Sequence, residues 1–476
     1  MFETLHLIVA AAMALAAGPL CAARQAAAES RTLGPDEVGP MLSEISPERV
    51  RADIDALCGF GTRHTLSDTE SGDRGIGAAR RWIRGEFEKA AAESGRSGDE
   101  AMKVWFDTHR VEPDGRRIDR AVDVVNVMAE LPGATAEARE RRYYIIAHYD
   151  TINADFMNRT DDAPGANDNA SGTAALLELA RVMSKRRFDA TIVFMATAGE
   201  EQGLFGARLY ARAAREAGLD IRAVLNNDTV GDPAGPFDPE SDEAKRSRGT
   251  IRVFSEGVPR QAPAQEIGRI FLMGAENDSP ARQLARYVAE VAERHELAIR
   301  PTLIFRNDRF LRGGDHTGFL EAGFPAAVRF TVMHEDYNRQ HQFVEEKRDA
   351  SGEMTKFGDR AEFVEAAYLA DVTRLNGAAL AHLASAPRAP GSARIITAEL
   401  TNDTTLRWEA CPEPDVAGYE VVWRETTSAM WTHSQDVGDA TEATLPLSKD
   451  NWLFGVRAYN GRGFRSQVSF PTAARE

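Results

Sequence analysis

Acidic and imidazole side chains follow three apolar segments of this sequence, at the point where each segment ends. His148 ends the run YYIIAH, Glu200 and Glu201 follow IVFMATAG, and Asp228 follows AVLNN. Imidazole nitrogen and carboxylate oxygen are ligands that zinc accepts. Two adjacent carboxylates at a buried strand end repel each other unless a cation neutralises them. The pattern therefore indicates a divalent metal site built from histidine and carboxylate ligands.

Two further aspartates lie beside these segments. Asp150 is two residues from His148, where its carboxylate can accept the second ring N–H of that histidine. Asp168 lies in the loop GANDNASG, just before a predicted helix. Taken singly, each motif also has a structural explanation. A histidine at a strand end, a helix-capping loop and a solvated acidic turn at Glu200 and Glu201 would account for them separately.

The segments that position these residues alternate between apolar strands and amphipathic helices. Strands are predicted at 103–108, 122–131, 142–148, 190–196, 221–229, 250–255, 299–305 and 325–331. Helices are predicted at 36–58 with a break or new start at Pro47, and at 75–91, 173–186, 204–217, 278–296, 316–322 and 361–384, with a loop at 232–249. This alternation predicts an α/β fold with a mostly parallel sheet flanked by helices. Because ligands bind beyond the carboxyl ends of parallel strands, the acidic and imidazole side chains should converge there.

The motifs occur in the order found in the M28 family of di-zinc peptidases, which includes secreted bacterial aminopeptidases, and residues 40–385 resemble that family. The matching features are His148 with Asp150, Asp168 with Asn169, Glu200 with Glu201, Asp228, the block RGGDHTGFLEAGFPAAVRF and a late histidine in EDYNRQHQ. The resemblance implies a zinc-exopeptidase-like fold, two Zn²⁺ ions per chain and a cis peptide bond after Asp168.

The resemblance also implies five metal ligands, with Asp168 bridging the two ions. His148 and Asp228 would complete one position, and Glu201 and His341 the other. By residue type alone the late ligand could also be His316 or His334, and the order of motifs in the family favours His341. Three carboxylates and a hydroxide would neutralise the four positive charges of two zinc ions, so a buried site is tolerable.

The implied chemistry is metal-assisted hydrolysis of a peptide bond by an exopeptidase, most simply an aminopeptidase acting on peptide substrates. Glu200 would be the general base and Asp150 would orient His148. Some family members carry a tyrosine just before the last histidine. Gln340 occupies that position here, so the side-chain oxyanion donor stays unassigned. The alternatives of the same fold are a carboxypeptidase, a single-zinc enzyme like glutaminyl cyclase, and a non-catalytic binding ectodomain, which the intact ligand set disfavours.

Charge and the amino-terminal segment suggest where the protein acts. The chain has 476 residues and a formal net charge of −16, which disfavours nucleic acid and anionic membranes as partners. Residues 7–20 are apolar and small residues follow, as in a signal peptide of about 28 residues, although no basic residue precedes them. We therefore expect a signal peptide at 1–28, a secreted or periplasmic protein, and no membrane span. Cys21, Cys58 and Cys411 do not predict a disulfide framework.

The last part of the chain has a different sequence pattern. A linker with Pro387, Pro390 and Gly391 separates a predicted M28-like domain at 31–386 from a predicted module at 390–476. Short alternating segments there predict a small all-β sandwich. The module resembles a fibronectin type III domain, with Trp408, Tyr419, Trp423 and Tyr459 placed like its core aromatics. It could bind the cell wall or a protein partner, or act as a spacer.

Overall fold

The computed structural model of the chain describes residues 32–348, 352–398 and 400–475. The predicted signal peptide at 1–28, with Cys21, lies outside the described residues. The two described cysteines, Cys58 and Cys411, have free thiols. Within the described ranges, no helix has the length and apolar character needed to cross a membrane.

Residues up to 385 form the larger part of the molecule, called here the α/β part. Its helices are α1 (Pro35–Ser43), α2 (Pro47–Gly59), α3 (Gly75–Glu93), α4 (Ser171–Met183), α5 (Phe205–Glu216), α6 (Asp242–Ser247), α7 (Ala264–Leu272), α8 (Pro280–Arg294), α9 (His316–Glu321) and α10 (Ala366–Ser385). Its strands are β1 (Lys103–Val111), β2 (Val122–Leu131), β3 (Arg141–His148), β4 (Thr191–Thr197), β5 (Asp220–Asn227), β6 (Thr250–Ser255), β7 (Arg300–Ile304), β8 (Ala327–Thr331), β9 (Glu345–Arg348) and β10 (Met354–Phe357). All eight predicted strands form, within a few residues of their predicted bounds.

Strands β1 to β8 form one sheet in the order β1-β2-β4-β3-β5-β8-β6-β7. The central run β4-β3-β5-β8 is parallel, as is the edge pair β6–β7. Antiparallel pairs join β1 to β2, β2 to β4 and β6 to β8. The predicted α/β fold with a mostly parallel sheet is therefore confirmed.

Strand β4 shows how helices cover both faces of this sheet. Ile192 and Phe194 lie in the larger apolar core, which includes residues of α1 to α4, α8 and α10. Val193 and Met195 lie in a second core with residues of α5 and α9. Successive side chains of a strand point to opposite faces, so a strand covered on both faces is apolar throughout.

Helix starts follow their capping residues. The Ser46 hydroxyl accepts the backbone N–H of Arg49 at 3.2 Å, and Pro47 is the first residue of α2, as its predicted role as a helix start requires. Ser279 caps α8 in the same way, ahead of Pro280. These caps fix α2, which packs against α4 and α10, and α8, which packs against the sheet strands β6, β7 and β8.

The prediction of a continuous loop at 232–249 is wrong in part, because α6 forms within it. The Ser241 hydroxyl accepts the backbone N–H of Ala244 at 3.2 Å, and Asp242 and Glu243 occupy the first turn, where acidic groups suit the helix dipole. Helix α7 and the β9–β10 hairpin were also not predicted. In α7, Ile267, Ile270 and Phe271 have helical spacing, so the signal for this helix was present in the sequence although none of its residues is buried. Strand β9 is exposed along its length and has no apolar pattern.

The C-terminal part is a small β-sandwich, as predicted. Its strands are β11 (Gly391–Ile396), β12 (Thr404–Glu409), β13 (Val416–Glu425), β14 (His433–Gly438), β15 (Glu442–Leu445), β16 (Trp452–Asn460) and β17 (Thr472–Ala474). A four-stranded sheet, β15-β12-β11-β17, and a three-stranded sheet, β14-β13-β16, share one core. Trp408 and Tyr419 lie in that core and Trp423 packs at its margin. Tyr459 lies outside it, with its hydroxyl donating to Asp436 at 3.0 Å.

Buried ion pairs hold the sandwich against the α/β part. The Asp278 carboxylate lies 2.7 Å from the Arg424 guanidinium of the sandwich and 3.3 Å from the Arg286 guanidinium of α8, and none of these side chains is more than 2% exposed. Arg462 donates to the Thr32 hydroxyl at 2.6 Å and so reaches the first described residue. Charges buried this deeply are tolerated only when they are paired, so the two parts are joined by specific contacts.

Candidate metal centre

Three of the five candidate ligands lie at the carboxyl ends of three adjacent parallel strands. His148 ends β3 and pairs in register with Thr197 at the end of β4, which leads into the loop carrying Glu200 and Glu201. Strand β5, on the other side of β3, leads directly into Asp228. Because parallel strands deliver their carboxyl ends to one edge of the sheet, the predicted convergence occurs.

Asp168 lies between the two histidines. Its Oδ1 is 3.1 Å from His148 Nε2, and its Oδ2 is 3.0 Å from His341 Nε2. Asp228 Oδ1 lies 3.8 Å from His148 Nε2, and Glu201 Oε1 lies 3.0 Å from His341 Nε2. The five residues form two triads that share the Asp168 carboxylate, each compact enough to surround one cation.

The ligand atoms of these triads fit a metal ion. His148 Nε2, Glu201 Oε1 and His341 Nε2 are buried atoms without a hydrogen-bond partner in the described structure. Buried polar atoms are normally satisfied, and unpaired ones are costly. A set of imidazole nitrogens and carboxylate oxygens without thiolate suits zinc. The donor set and the unpartnered atoms are therefore both explained by bound zinc.

The raised pKa values of the two histidines also indicate that the cluster attracts positive charge. Burial lowers the pKa of His148, but its contacts with the Asp168 and Asp228 carboxylates outweigh burial and hold that pKa well above its ordinary value. Burial likewise lowers the pKa of His341, and the nearby Glu201 and Asp168 carboxylates raise it well above its ordinary value. The carboxylates thus attract a proton to each imidazole, and a cation would satisfy the same charge.

Glu200 stands beside the ligands and keeps partial exposure to solvent. Burial of its carboxyl group raises the pKa of Glu200 well above its ordinary value, assisted by the negative charges of Glu201 and Asp228, although His148 acts in the opposite direction. A carboxyl group with raised proton affinity beside a metal centre is suited to accept and return a proton.

Asp150 acts on the glutamate loop more directly than on His148. The Nδ1 atom of His148 is 3.1 Å from the main-chain carbonyl oxygen of Asp150 and 3.7 Å from its carboxylate. The predicted carboxylate contact is thus replaced by a main-chain contact of the same residue. The carboxylate instead accepts the backbone N–H groups of Glu200 and Glu201, both at 3.2 Å, and the Thr65 hydroxyl at 3.2 Å.

The predicted cis peptide bond between Asp168 and Asn169 is present. The Asn169 side chain donates to the carbonyl oxygen of Asn227 at 2.8 Å and accepts the Gly172 N–H at 3.0 Å. A Cβ atom at Gly172 would lie 2.3 Å from that carbonyl oxygen, so only glycine permits this approach of α4 to the end of β5.

Of the three late histidines, the structure brings only His341 to the cluster. His316 Nε2 lies 3.0 Å from the carbonyl oxygen of Asn307, on a side chain buried behind the site. His334 Nε2 lies 3.1 Å from Glu243 on the surface. The order of motifs, rather than residue type, therefore identified the histidine that faces Asp168.

We expect His341→Ala to lose at least one of the cations bound by the wild-type protein, because it removes the only imidazole of the Glu201 triad. Elemental analysis after gel filtration measures the zinc content per chain. His334→Ala, which removes a surface imidazole, should leave that content unchanged. An unchanged zinc content in His341→Ala would exclude His341 as a ligand.

Three residues at the centre were not predicted to support it. Gln340 donates to Asp168 Oδ2 at 2.7 Å, and Asp359 accepts the backbone N–H of Asp168 at 2.6 Å, so both hold that carboxylate or its main chain. Arg329 lies 2.9 Å from Asp228 Oδ1. A signal existed for Arg329 alone, since it is a charge inside the apolar strand AAVRFTV and buried charges need partners.

A cluster of histidine and carboxylate ligands at the strand ends of an α/β sheet is suited to bind zinc, and sequence comparisons show the class of enzyme that carries it. The chain belongs to peptidase family M28, whose sequence model matches residues 126–353. A probable zinc metalloprotease of Leptosphaeria maculans is 44% identical over 436 residues, which cover 92% of this chain and 97% of that protein. A probable zinc metalloprotease of Pyrenophora teres f. teres is 42% identical over 442 residues, with 92% and 87% covered. The protein is therefore a hydrolase, a zinc metallopeptidase, and these relatives are fungal.

Solved structures agree on the fold. The LapA aminopeptidase of Legionella pneumophila matches with a TM-score of 0.50 and 19% identity, over 75% of each chain. A second LapA structure from that organism matches with a TM-score of 0.51, over 75% of this chain and 78% of that one. Similarity at this level of identity shows a common fold and leaves substrate choice to the site itself.

Proposed function

We propose that this zinc metallopeptidase is a two-zinc exopeptidase that removes amino-terminal residues from peptides. The observation that carries the proposal is the pair of triads around Asp168, with one carboxylate oxygen facing His148 and the other facing His341. A carboxylate shared in this way suits a bridging ligand. His148 and Asp228 would complete one position, and Glu201 and His341 the other.

The chain's own residues support hydrolysis at such a centre. When bound, two zinc ions would acidify a shared water and polarise the scissile carbonyl group. Glu200 accepts a proton from the attacking water as hydroxyl adds to the carbonyl carbon, and it delivers that proton to the amine nitrogen when the carbon–nitrogen bond then breaks. The Asp150 carboxylate accepts the backbone N–H of Glu200 and so holds the main chain of Glu200 in place. One of the two side-chain N–H groups of Gln340 donates to Asp168 and holds that side chain against the proposed bridging carboxylate.

The amino-terminal specificity in this proposal follows the solved structures that share the fold, which include the LapA aminopeptidase of Legionella pneumophila. The charge of the ligands does not distinguish the two ends of a peptide, because two bound zinc ions and a hydroxide would neutralise the three ligand carboxylates. Blocked peptides therefore supply the decisive comparison.

A panel of blocked peptides tests the proposal. Aminoacyl p-nitroanilides and free peptides should be cleaved, amino-terminally acetylated peptides should resist, and carboxyl-terminally amidated peptides should be cleaved like free ones. Activity should disappear with a strong chelator and return with zinc. Cleavage of acetylated peptides that requires a free carboxyl terminus would replace the aminopeptidase by a carboxypeptidase. One zinc per chain, with cyclisation of amino-terminal glutamine, would indicate the cyclase chemistry.

A further inference from the structure

Arg329 is a fully buried cation beside one of the proposed ligands. It lies on β8, where its register partner Asn226 on β5 precedes Asp228 by two residues. Its Nη2 is 2.9 Å from Asp228 Oδ1, and its Nη1 is 3.2 Å from Asp308 Oδ2. The guanidinium group therefore neutralises part of the charge that Asp228 would offer to a metal ion.

The guanidinium group is held in this position from several sides. Its Nη1 donates to the carbonyl oxygen of Gly313 at 3.0 Å. At Gly314, a Cβ atom would lie 3.0 Å from Arg329 Nη1 and 3.3 Å from Asp228 Oδ2. The chain therefore packs closely over the Arg329–Asp228 pair, which leaves the two groups little room to separate.

The other triad has no comparable cation. In the described part of the chain, the only basic side chain within ion-pair distance of the Glu201 carboxylate is His341, itself a proposed ligand. The Asp168 oxygen on the His341 side accepts an N–H of the neutral Gln340 amide at 2.7 Å, which withdraws less charge than the full guanidinium charge 2.9 Å from Asp228. The triad with Glu201 therefore offers a full carboxylate charge, whereas the triad with Asp228 offers a charge already shared with Arg329.

We propose that Arg329 makes the two cation positions unequal, weakening the position formed by His148 and Asp228 relative to the one formed by Glu201 and His341. The inference rests on the proposed two-zinc function. A carboxylate has lone pairs enough for a metal ion and a guanidinium group together, so both can bind. The electrostatic attraction for the cation is nevertheless smaller. The protein would then bind its two zinc ions in two steps. The concentration of free zinc would determine the fraction of protein molecules that hold both ions.

Titration of metal-free protein with zinc, in competition with a chromogenic chelator, tests the inference without an activity assay. The wild-type protein should bind two zinc ions with dissociation constants at least about tenfold apart. The double variant Arg329→Met/Asp308→Asn removes one positive and one negative charge, so the network stays balanced while Asp228 is released. Its weaker step should tighten by about tenfold or more.

Asp308→Asn alone supplies the opposite prediction. Without the Asp308 carboxylate, the positive charge of Arg329 opposes a cation at Asp228 more strongly. The dissociation constant of the weaker zinc-binding step should therefore increase further. Arg329→Lys keeps the charge and should retain two unequal steps. A role limited to packing would weaken zinc binding in both the double variant and Asp308→Asn, which would overturn the inference. Circular dichroism and thermal unfolding identify a variant that does not fold. If the double variant does not fold, an Asp308→Asn protein that folds and binds zinc in the weaker step as tightly as the wild type, or more tightly, overturns the inference.

Stoichiometry separates the failure of this inference from failure of the proposed function. Two zinc ions bound with equal affinity by the wild-type protein would overturn the role of Arg329 and leave the two-zinc centre intact. A total of one zinc ion, or none, would overturn the two-zinc centre itself, and the inference with it.

Discussion

Glu200→Gln is expected to lower turnover by about 10²–10⁴-fold while the zinc content stays at the wild-type value. The amide keeps the shape of the side chain but cannot take a proton from water. Its backbone N–H still donates to Asp150, so the loop keeps its position. Steady-state kinetics on an aminoacyl p-nitroanilide measure the turnover, and elemental analysis measures the zinc.

Glu240→Gln is the matched control, because the Glu240 side chain is 86% exposed and makes only a long contact, at 3.5 Å, with Lys245. It should change neither quantity. Turnover unaffected in Glu200→Gln would mean that another group accepts the proton. Loss of both zinc and turnover would instead make Glu200 a ligand. The structure allows that outcome because the Glu200 carboxylate, the His148 imidazole and the Glu201 carboxylate are close enough together to hold one cation.

Asp278→Ala is expected to lower the free energy of unfolding by about 3–5 kcal/mol, because it leaves the Arg286 and Arg424 guanidinium groups buried without their carboxylate. Urea denaturation followed by tryptophan fluorescence measures the change. Trp431 is a suitable local probe, since the Arg424 guanidinium lies 5.2 Å from its ring centroid and its indole N–H donates to Gln283 at 3.0 Å.

Arg407→Ala breaks an ion pair of the same sandwich at the surface, where Arg407 and Glu442 are both 51% exposed. Surface pairs are worth little, so the expected loss is below about 1 kcal/mol. Equal losses of unfolding free energy in Asp278→Ala and Arg407→Ala would show that the buried ion pairs do not hold the sandwich to the α/β part. A separate unfolding transition of the sandwich in wild-type protein would contradict the tight attachment as well.

The strands and three of the candidate ligands, His148, Glu201 and Asp228, could be predicted because one physical pattern determines both. A strand covered on two faces is apolar along its length, and β4 shows this at Ile192 to Met195. A polar residue directly after such a strand, like Asp228 after β5, must then lie at the sheet edge where parallel strands end. Local sequence therefore indicates the edge of the sheet at which the candidate site lies.

The supporting residues could not be predicted because their roles depend on partners far along the chain. Asp359 binds the backbone of Asp168 across 191 residues, and nothing in the segment FGDR distinguishes it from a surface turn. The choice of His341 over His316 depended on family order, since both lie in polar segments. Only the fold shows that His316 turns toward Asn307. The fibronectin-like character of the sandwich and its partner stay predictions.

Arg462 makes contacts that can form only after most of the chain has been synthesised. It binds Thr32 across 430 residues and lies beside Asp189 and Ser385, so segments from the beginning, middle and end of the sequence meet at one guanidinium group. Contacts this distant form late, after the intervening chain has folded. On a ribosome, this closure must wait until residue 462 has left the exit tunnel. We therefore expect the contacts of Arg462 to be missing from any nascent chain in which residue 462 is still inside the tunnel, so that such a chain would not yet have its full stability.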